Sequence, residues 1–260
     1  MIRRIAEISN KLCQEVVSAI TLKDEEEFKQ YLEDHPEYRE DTIFIVNGVE
    51  RKAPPHKKDV RELSGPQLRG LAGHHKSQDL LHELAQHSNK SVRSGVARNE
   101  HAHPRDLFTL AHDEHEKIRE NVSKNPSAGP KALTHLSKDA SPMIRTRVAE
   151  HPHTPSEVIN SMVNDEDYRV RRAIACSRKA KPESLHQLSG DKDVSVRVEV
   201  ARNPISSPET LGKLGKDDNG YVLEAVARNE RTPWETLTEL QNNEYNRVAF
   251  AARQNLSKKK

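Results

Sequence analysis

The sequence predicts an all-α solenoid of about seven two-helix repeats, each 26 residues long, preceded by a small α+β region containing a β-hairpin. Three observations predict it. The tetrapeptide Val-Ala-Arg-Asn occurs at Val96–Asn99, Val200–Asn203 and Val226–Asn229, with starts 104 and 26 residues apart. Aliphatic residues fall into four columns at that same interval. The composition is also too poor in apolar side chains for a thick globular core: 33% hydrophobic, 32% charged and 4% aromatic in 260 residues, with a mean hydropathy of −0.89. A stacked array tolerates that stock, because each thin layer needs only a few aliphatic residues facing its neighbours.

Stepping by 26 from Val92 gives Ile118, Ile144, Val170, Val196, Val222 and Val248. A second column reads Val96, Val122, Val148, Ile174, Val200, Val226 and Ala252. A third runs Leu81, Leu107, Leu133, Ile159, Leu185, Leu211 and Leu237, and a fourth Leu84, Leu110, Leu136, Met162, Leu188, Leu214 and Leu240. Four such columns in one register mark a tandem array.

Residues 1–60 differ in kind. Ile2, Ile5, Ile8, Leu12, Val16 and Ile20 fall on one helical face, so "IRRIAEISNKLCQEVVSAI" reads as a helix. "KDEEEFKQYLEDH" reads as a second helix, stopped by Pro36. "TIFIVNGVER" reads as a β-hairpin turning at Asn47-Gly48, and "KAPPHKK" as a linker. A two-stranded hairpin is marginal by itself. It must rest on the helices, on the array or on a second copy, which raises a homodimer through this region as an expectation.

Residues 64–260 form the array, and 64–87 read as a degenerate capping repeat. Leu81 and Leu84 stay in register there, but Pro66 stands where a valine is expected. Each later unit opens with a segment such as "DVSVRVEVARN", aliphatic at i and i+4. Asn99, Asn125, Asn203, Asn229 and Asn255 are expected to close it in the left-handed conformation that asparagine tolerates. The second segment opens at Pro104, Pro130, Pro155, Pro182, Pro208 or Pro233, with Thr154, Ser207 and Thr232 as N-caps. Two turns leave roughly eight residues per helix, too few for stability alone, so stacking must supply it. Arg253 breaks its column of small residues, so the array is expected to end at Leu256 with a solvated lysine tail.

The stretches "VRVEVARNPISSPETLGKLGKDD" and "IRTRVAEHPHTPSEVINSMVNDEDYRV" resemble the leucine-rich repeat variant, a relative of HEAT repeats found in bacteria. The resemblance covers about residues 64–260. It rests on V-R-x-x-V-A-x-N-P followed by P-x-x-L-x-x-L. It implies a right-handed superhelix of paired helical segments, one of them α or 3₁₀. One member of that family carries an N-terminal iron–sulfur cluster on clustered cysteines. This chain has only Cys13 and Cys176, so that cofactor does not carry over, and no other is expected.

Net charge is +2, with 11 basic and 14 acidic residues over 1–63 and 31 and 26 over 64–260, so the array is close to neutral. Two cysteines make no disulfide framework, and no run is apolar enough for a signal peptide or a membrane span. A soluble cytoplasmic protein is expected. Arg93, Arg119, Arg145, Arg171 and Arg197 run beside Asp113, Asp139, Asp165, Asp191 and Asp217 at the same period. They read as an internal ladder of bidentate pairs rather than a phosphate-binding stripe.

The column Arg98, Lys124, Glu150, Cys176, Arg202, Arg228 should face solvent, with Glu120–Lys124 and Glu224–Arg228 as i,i+4 pairs. By analogy with HEAT repeats it lines the inner curve. Arg98, Lys124, Arg202 and Arg228 are therefore candidate partner-binding residues. Tyr168, Tyr221 and Tyr245, scarce aromatics expected just before the first helix of their units, join them. Trp234 is expected to cover a neighbouring layer. The pairs His101/His103, His112/His115 and His151/His153 do not repeat and lack a third ligand, and Cys176 has no activating base. No catalytic, cofactor or metal site is expected.

The expected function is a non-enzymatic scaffold that binds another protein or peptide along its concave face. The alternative is a nucleic-acid-binding protein related in architecture to alkylpurine DNA glycosylases. The near-neutral charge and scarce aromatics weigh against it.

Overall fold

The computed structural model describes residues 65–259, with side chains from Leu68 onward, and the backbone of four short strands before them. The chain divides into one unit over residues 1–68 and another over 69–260. In the first, β1 (Arg3–Ile5), β2 (Ala19–Leu22), β3 (Ile43–Val46) and β4 (Val49–Lys52) form one sheet in that order. The outer pairs are antiparallel and β2 pairs β3 in parallel. Arg3–Ile5 and Ala19–Leu22 are thus strands where the apolar spacing suggested a helix. The β-branched Ile20 and Thr21 suit a strand paired on both edges. The expected second helix, the Asn47-Gly48 turn, the linker and any dimer contact lie outside the described residues.

The second unit is helical. The capping repeat supplies α1 (Gly65–His74) and α2 (Gln78–Ala85). Six repeats follow, each opening with a nine-residue helix: α3 (Lys90–Arg98), α5 (Glu116–Lys124), α7 (Pro142–Glu150), α9 (Tyr168–Cys176), α11 (Val194–Arg202) and α13 (Gly220–Arg228). The second helices are shorter: α4 (Pro104–Leu110), α6 (Pro130–Leu136), α8 (Ser156–Ser161), α10 (Pro182–Leu188), α12 (Pro208–Leu214) and α14 (Trp234–Leu240). The chain ends in α15 (Asn246–Lys258). Both helices of each described repeat are α, not 3₁₀.

The four aliphatic columns form the core, and none of their members is more than 6% exposed. Burying one such side chain contributes roughly 1.5–3 kcal/mol. Four per layer hold helices that would melt in isolation. Successive first helices pack closely at every step, whereas second helices do so only at α2–α4 and α4–α6.

Two polar ladders tie the layers together. In one, each arginine reaches the aspartate twenty residues on: Arg171 Nε donates to Asp191 Oδ2 at 2.6 Å and Nη2 to Oδ1 at 2.9 Å. Its Nη1 donates back to the carbonyls of Asp165 and Glu166. The pattern repeats at Arg93–Asp113, Arg119–Asp139, Arg145–Asp165 and Arg197–Asp217, with Nε–Oδ2 distances of 2.6–2.7 Å. Each aspartate Oδ1 also accepts from the backbone two residues on, as from Asp193 N at 2.9 Å. The arginines are structural, as the spacing predicts.

The asparagine column forms the second ladder, and here the sequence reading needs correction. Asn125 and Asn229 are extended, not left-handed (φ −74° at both, ψ 122° and 126°), and buried. Asn229 Nδ2 donates to the carbonyls of Ala201 and Asn203 in the preceding layer, at 2.7 and 3.0 Å, while its Oδ1 accepts from Arg231 N. Asn99, Asn125, Asn203 and Asn255 bridge in the same way. The amide is selected for satisfying buried carbonyls between layers.

Other corrections concern the loops. Ser207 caps α12 as expected, its hydroxyl accepting from Thr210 N. Thr154 and Thr232 are not caps: their hydroxyls donate to Val148 O and Val226 O at 2.6 Å. Pro155 and Pro233 occupy the cap positions instead. At the far end Leu256 is still buried, but the tail is not wholly solvated, since Lys259 Nζ donates to Thr232 O at 2.9 Å.

Candidate partner-binding face

On each first helix, residues three and four apart project from the stack. Arg98, Lys124, Glu150, Cys176, Arg202 and Arg228 are all exposed. The two expected i,i+4 pairs are present: Lys124 Nζ contacts Glu120, and Arg228 Nη2 lies 2.9 Å from Glu224 Oε1. Glutamates interrupt the cationic row along the face. Glu199 takes Arg172 at 3.1 Å and Arg202 at 3.5 Å, and Glu224 also takes Arg247 at 3.3 Å.

The fold gathers three of the seven candidate residues. Arg202, Tyr221 and Arg228 line one open cleft of about 180 Å³ together with Glu224, Ala225 and Asn229. They come from adjacent layers, so Arg202 meets Tyr221 only because α11 and α13 stack. Tyr245 joins through Arg247, whose guanidinium lies 4.1 Å from the Tyr221 ring centre and 5.9 Å from that of Tyr245. Gly220 lies close beneath this cluster, since a Cβ there would sit 3.1 Å from both the Tyr245 ring and Arg247.

The other three candidates lie apart from that cleft. Tyr168, 46% exposed, begins α9. Lys124 sits midway along the face, and Arg98 lines a separate cleft at the amino-terminal end. Sequence reasoning missed Arg247 and Phe250. Phe250 is 59% exposed, and it stands one 26-residue step beyond Glu224. An aromatic in a column that is otherwise polar except at Val198 was the available signal.

No protein-family model matches the sequence, and no curated protein does. Among solved structures, a leucine-rich repeat variant described as having a novel repetitive structural motif aligns with 87% of this chain and 79% of its own. Its TM-score is 0.56 and its identity 22%. The fold is that of a leucine-rich repeat variant. A HEAT-like repeat protein from the archaeon Thermococcus onnurineus NA1 aligns with 79% of this chain and 97% of its own, at 14% identity and a TM-score of 0.34. A designed armadillo repeat protein in complex with the peptide (KR)4 aligns with 77% and 91%, at 14% identity and a TM-score of 0.26.

Within this leucine-rich repeat variant fold, the reactive residue types have other employment. Among the described residues no group of three or more His, Cys, Asp or Glu is placed to hold a metal ion. His151 Nε2 lies 3.0 Å from Asn125 O, where it fills the asparagine ladder, and burial lowers its pKa. His103 caps α4, its Nδ1 accepting from Arg105 N. His112 stacks on His135 at 3.6 Å. Although Cys176 is an exposed residue, partial burial of its thiol and the Glu199 carboxylate push its pKa up to about 11, against thiolate formation. Trp234, expected to cover a neighbouring layer, is 45% exposed at the start of α14. No helix among the described residues is long and apolar enough to cross a membrane.

Proposed function

We propose that the array is a non-enzymatic scaffold that binds another protein or peptide along its first-helix side. The observation that carries this reading is the gathering of Arg202, Tyr221 and Arg228 around one open cleft, extended by Tyr245 and Arg247, with the exposed Phe250 one repeat beyond the Glu224 of its lining. Arginine and tyrosine supply much of the binding energy where proteins meet, because each combines apolar area with directed hydrogen bonding. In a chain with 4% aromatic residues, three exposed rings toward one end of one face are more than the stack needs for its own packing. The right-handed sense of the superhelix, a bacterial source and a cytoplasmic setting belong to the same proposal.

The alternating Arg/Lys and Glu of this face favour a mixed-charge partner over a nucleic-acid duplex, which calls for a continuous cationic track. The test is affinity for a partner captured by the native protein. The triple variant Arg202→Ala/Tyr221→Ala/Arg228→Ala is expected to bind at least about tenfold more weakly, some 1.4 kcal/mol, and Trp234→Ala to bind normally. A folded triple variant with unchanged affinity contradicts the proposal.

A further inference from the structure

The amino-terminal end of the same side differs from the rest of the face. A cleft of about 250 Å³ opens there between α1, α3 and the start of α5, lined by Arg69, Lys90, Ser91, Ser94, Arg98, His115, Lys117 and Ile118. Four permanent cations line it, and no carboxylate does. Elsewhere on the face Lys124, Arg172, Arg202, Arg228 and Arg247 each meet a glutamate. Among the described residues Arg69, Lys90 and Arg98 pair with none, while Lys117 lies 2.8 Å from Glu120 with its side chain 71% exposed. His115 Nδ1 lies 3.3 Å from Asp113 and 3.4 Å from Glu114.

The hydroxyls are arranged to donate as well. Ser94 Oγ already accepts from Asn121 Nδ2 at 2.9 Å, so its own proton is free to point into the cleft. Ser91 gives its backbone N–H to Asn89 Oδ1, and its hydroxyl has no partner among the described residues. Gly95 is what lets Arg69 reach this place. A Cβ at Gly95 would meet Ala72 Cβ at 2.7 Å, Arg69 O at 3.2 Å and Gly73 N at 3.3 Å, so α1 lies against α3 more closely than any side chain permits. In the same column the next repeat carries Asn121.

We infer that this cleft binds a phosphate monoester dianion, free or carried on a serine or threonine side chain. Forked guanidiniums from two helices, ammonium groups and hydroxyl donors suit three terminal phosphoryl oxygens. A single carboxylate, with one charge and two oxygens, would leave most of these donors unmet. The site is local, so it differs from a track for a nucleic-acid backbone, and it stands whatever binds at the far cleft.

The test is an amide-shift titration of the whole chain with sodium phosphate at ionic strength held constant with sodium chloride. Saturable shifts at Ser91, Ser94 and Arg98 are expected, with a midpoint on the order of millimolar. Lys90→Gln/Arg98→Gln, which removes both charges at similar helix propensity, should weaken binding at least tenfold. Arg69→Ala, a second variant on the other helix, should do the same. Lys213→Ala, on the second helix α12 and in neither cleft, should leave phosphate binding unchanged. Tighter binding of a short phosphoserine peptide than of phosphate assigns the group to a protein side chain, and equal binding assigns it to a small phosphorylated molecule. Either supports the inference. Shifts that do not saturate, acetate binding as well as phosphate, or folded variants that titrate like wild type overturn it.

Discussion

His151 occupies a column that elsewhere belongs mainly to asparagine, and it shows what that column is for. Its ring makes one interlayer bond, to Asn125 O, where an asparagine amide reaches two carbonyls. Burial first, then the charges of His153 and Lys179, lower its pKa below the usual 6.5. His135 is lowered too, by burial and the stacked His112. Below about pH 6.5 the unfolded chain therefore takes up protons that the folded chain refuses, and stability falls as pH drops. Burial alone would raise the carboxyls of Asp113 and Asp191, but Arg93 and Arg171 outweigh it and hold them below the ordinary range. Their contribution is present above about pH 4 and is lost in stronger acid. His151→Asn should stabilise the protein by about 1 kcal/mol at pH 7 and flatten the loss of Tm between pH 7 and 5. Thermal melts across that range check it, and an unchanged slope would refute the assignment.

At the scale of the element, spacing revealed some things and not others. The valine and leucine columns and the Arg–Asp ladder were legible because their members recur at one interval, and a buried contact repeated in every layer must recur. The asparagines recur as clearly, yet their role was misread. A helix-end rule concerns one chain segment, whereas these amides act between layers. Thr154 and Thr232 followed the same logic, tying back to the preceding helix rather than capping the next. Arg69 was invisible as a site residue because the capping repeat departs from the register that made the other columns readable, and Lys90 because its own column, Glu116, Pro142 and Tyr168, repeats no residue type. Their meeting depends on the close approach at Gly95. Gly95→Ala gains up to about 1 kcal/mol of helix propensity but must displace α1, at a cost of roughly 1–3 kcal/mol from overpacking. The net expectation is a less stable amino-terminal repeat, read as faster amide exchange in α1 and α2 with α9–α15 unchanged. Uniform exchange, or protection of α1, would be inconsistent with the contact.

For the molecule as a whole, the array separates structural from free polar groups. The Arg–Asp and asparagine ladders are consumed in holding layers together, so their loss would damage the fold rather than a binding event. The exposed side of the first helices carries the surplus: a mixed Arg/Tyr/Glu cleft toward the carboxyl end and, at the amino end, a cleft lined by basic and hydroxyl side chains with Ile118. Neither cluster lies in a single column, since Arg202 and Tyr221 belong to different positions of neighbouring repeats. That is why the residues could be named from sequence but not grouped.

The central claim is that recognition occurs on the first-helix side. Its most direct measurement is site-specific photo-crosslinking in cells, with a photoreactive phenylalanine placed in turn at Tyr221, Phe250 and Trp234. The account predicts that Tyr221 and Phe250 capture the same partner, while Trp234, on a second helix, captures none. Capture from Trp234 alone, with silence at the other two positions, would contradict it.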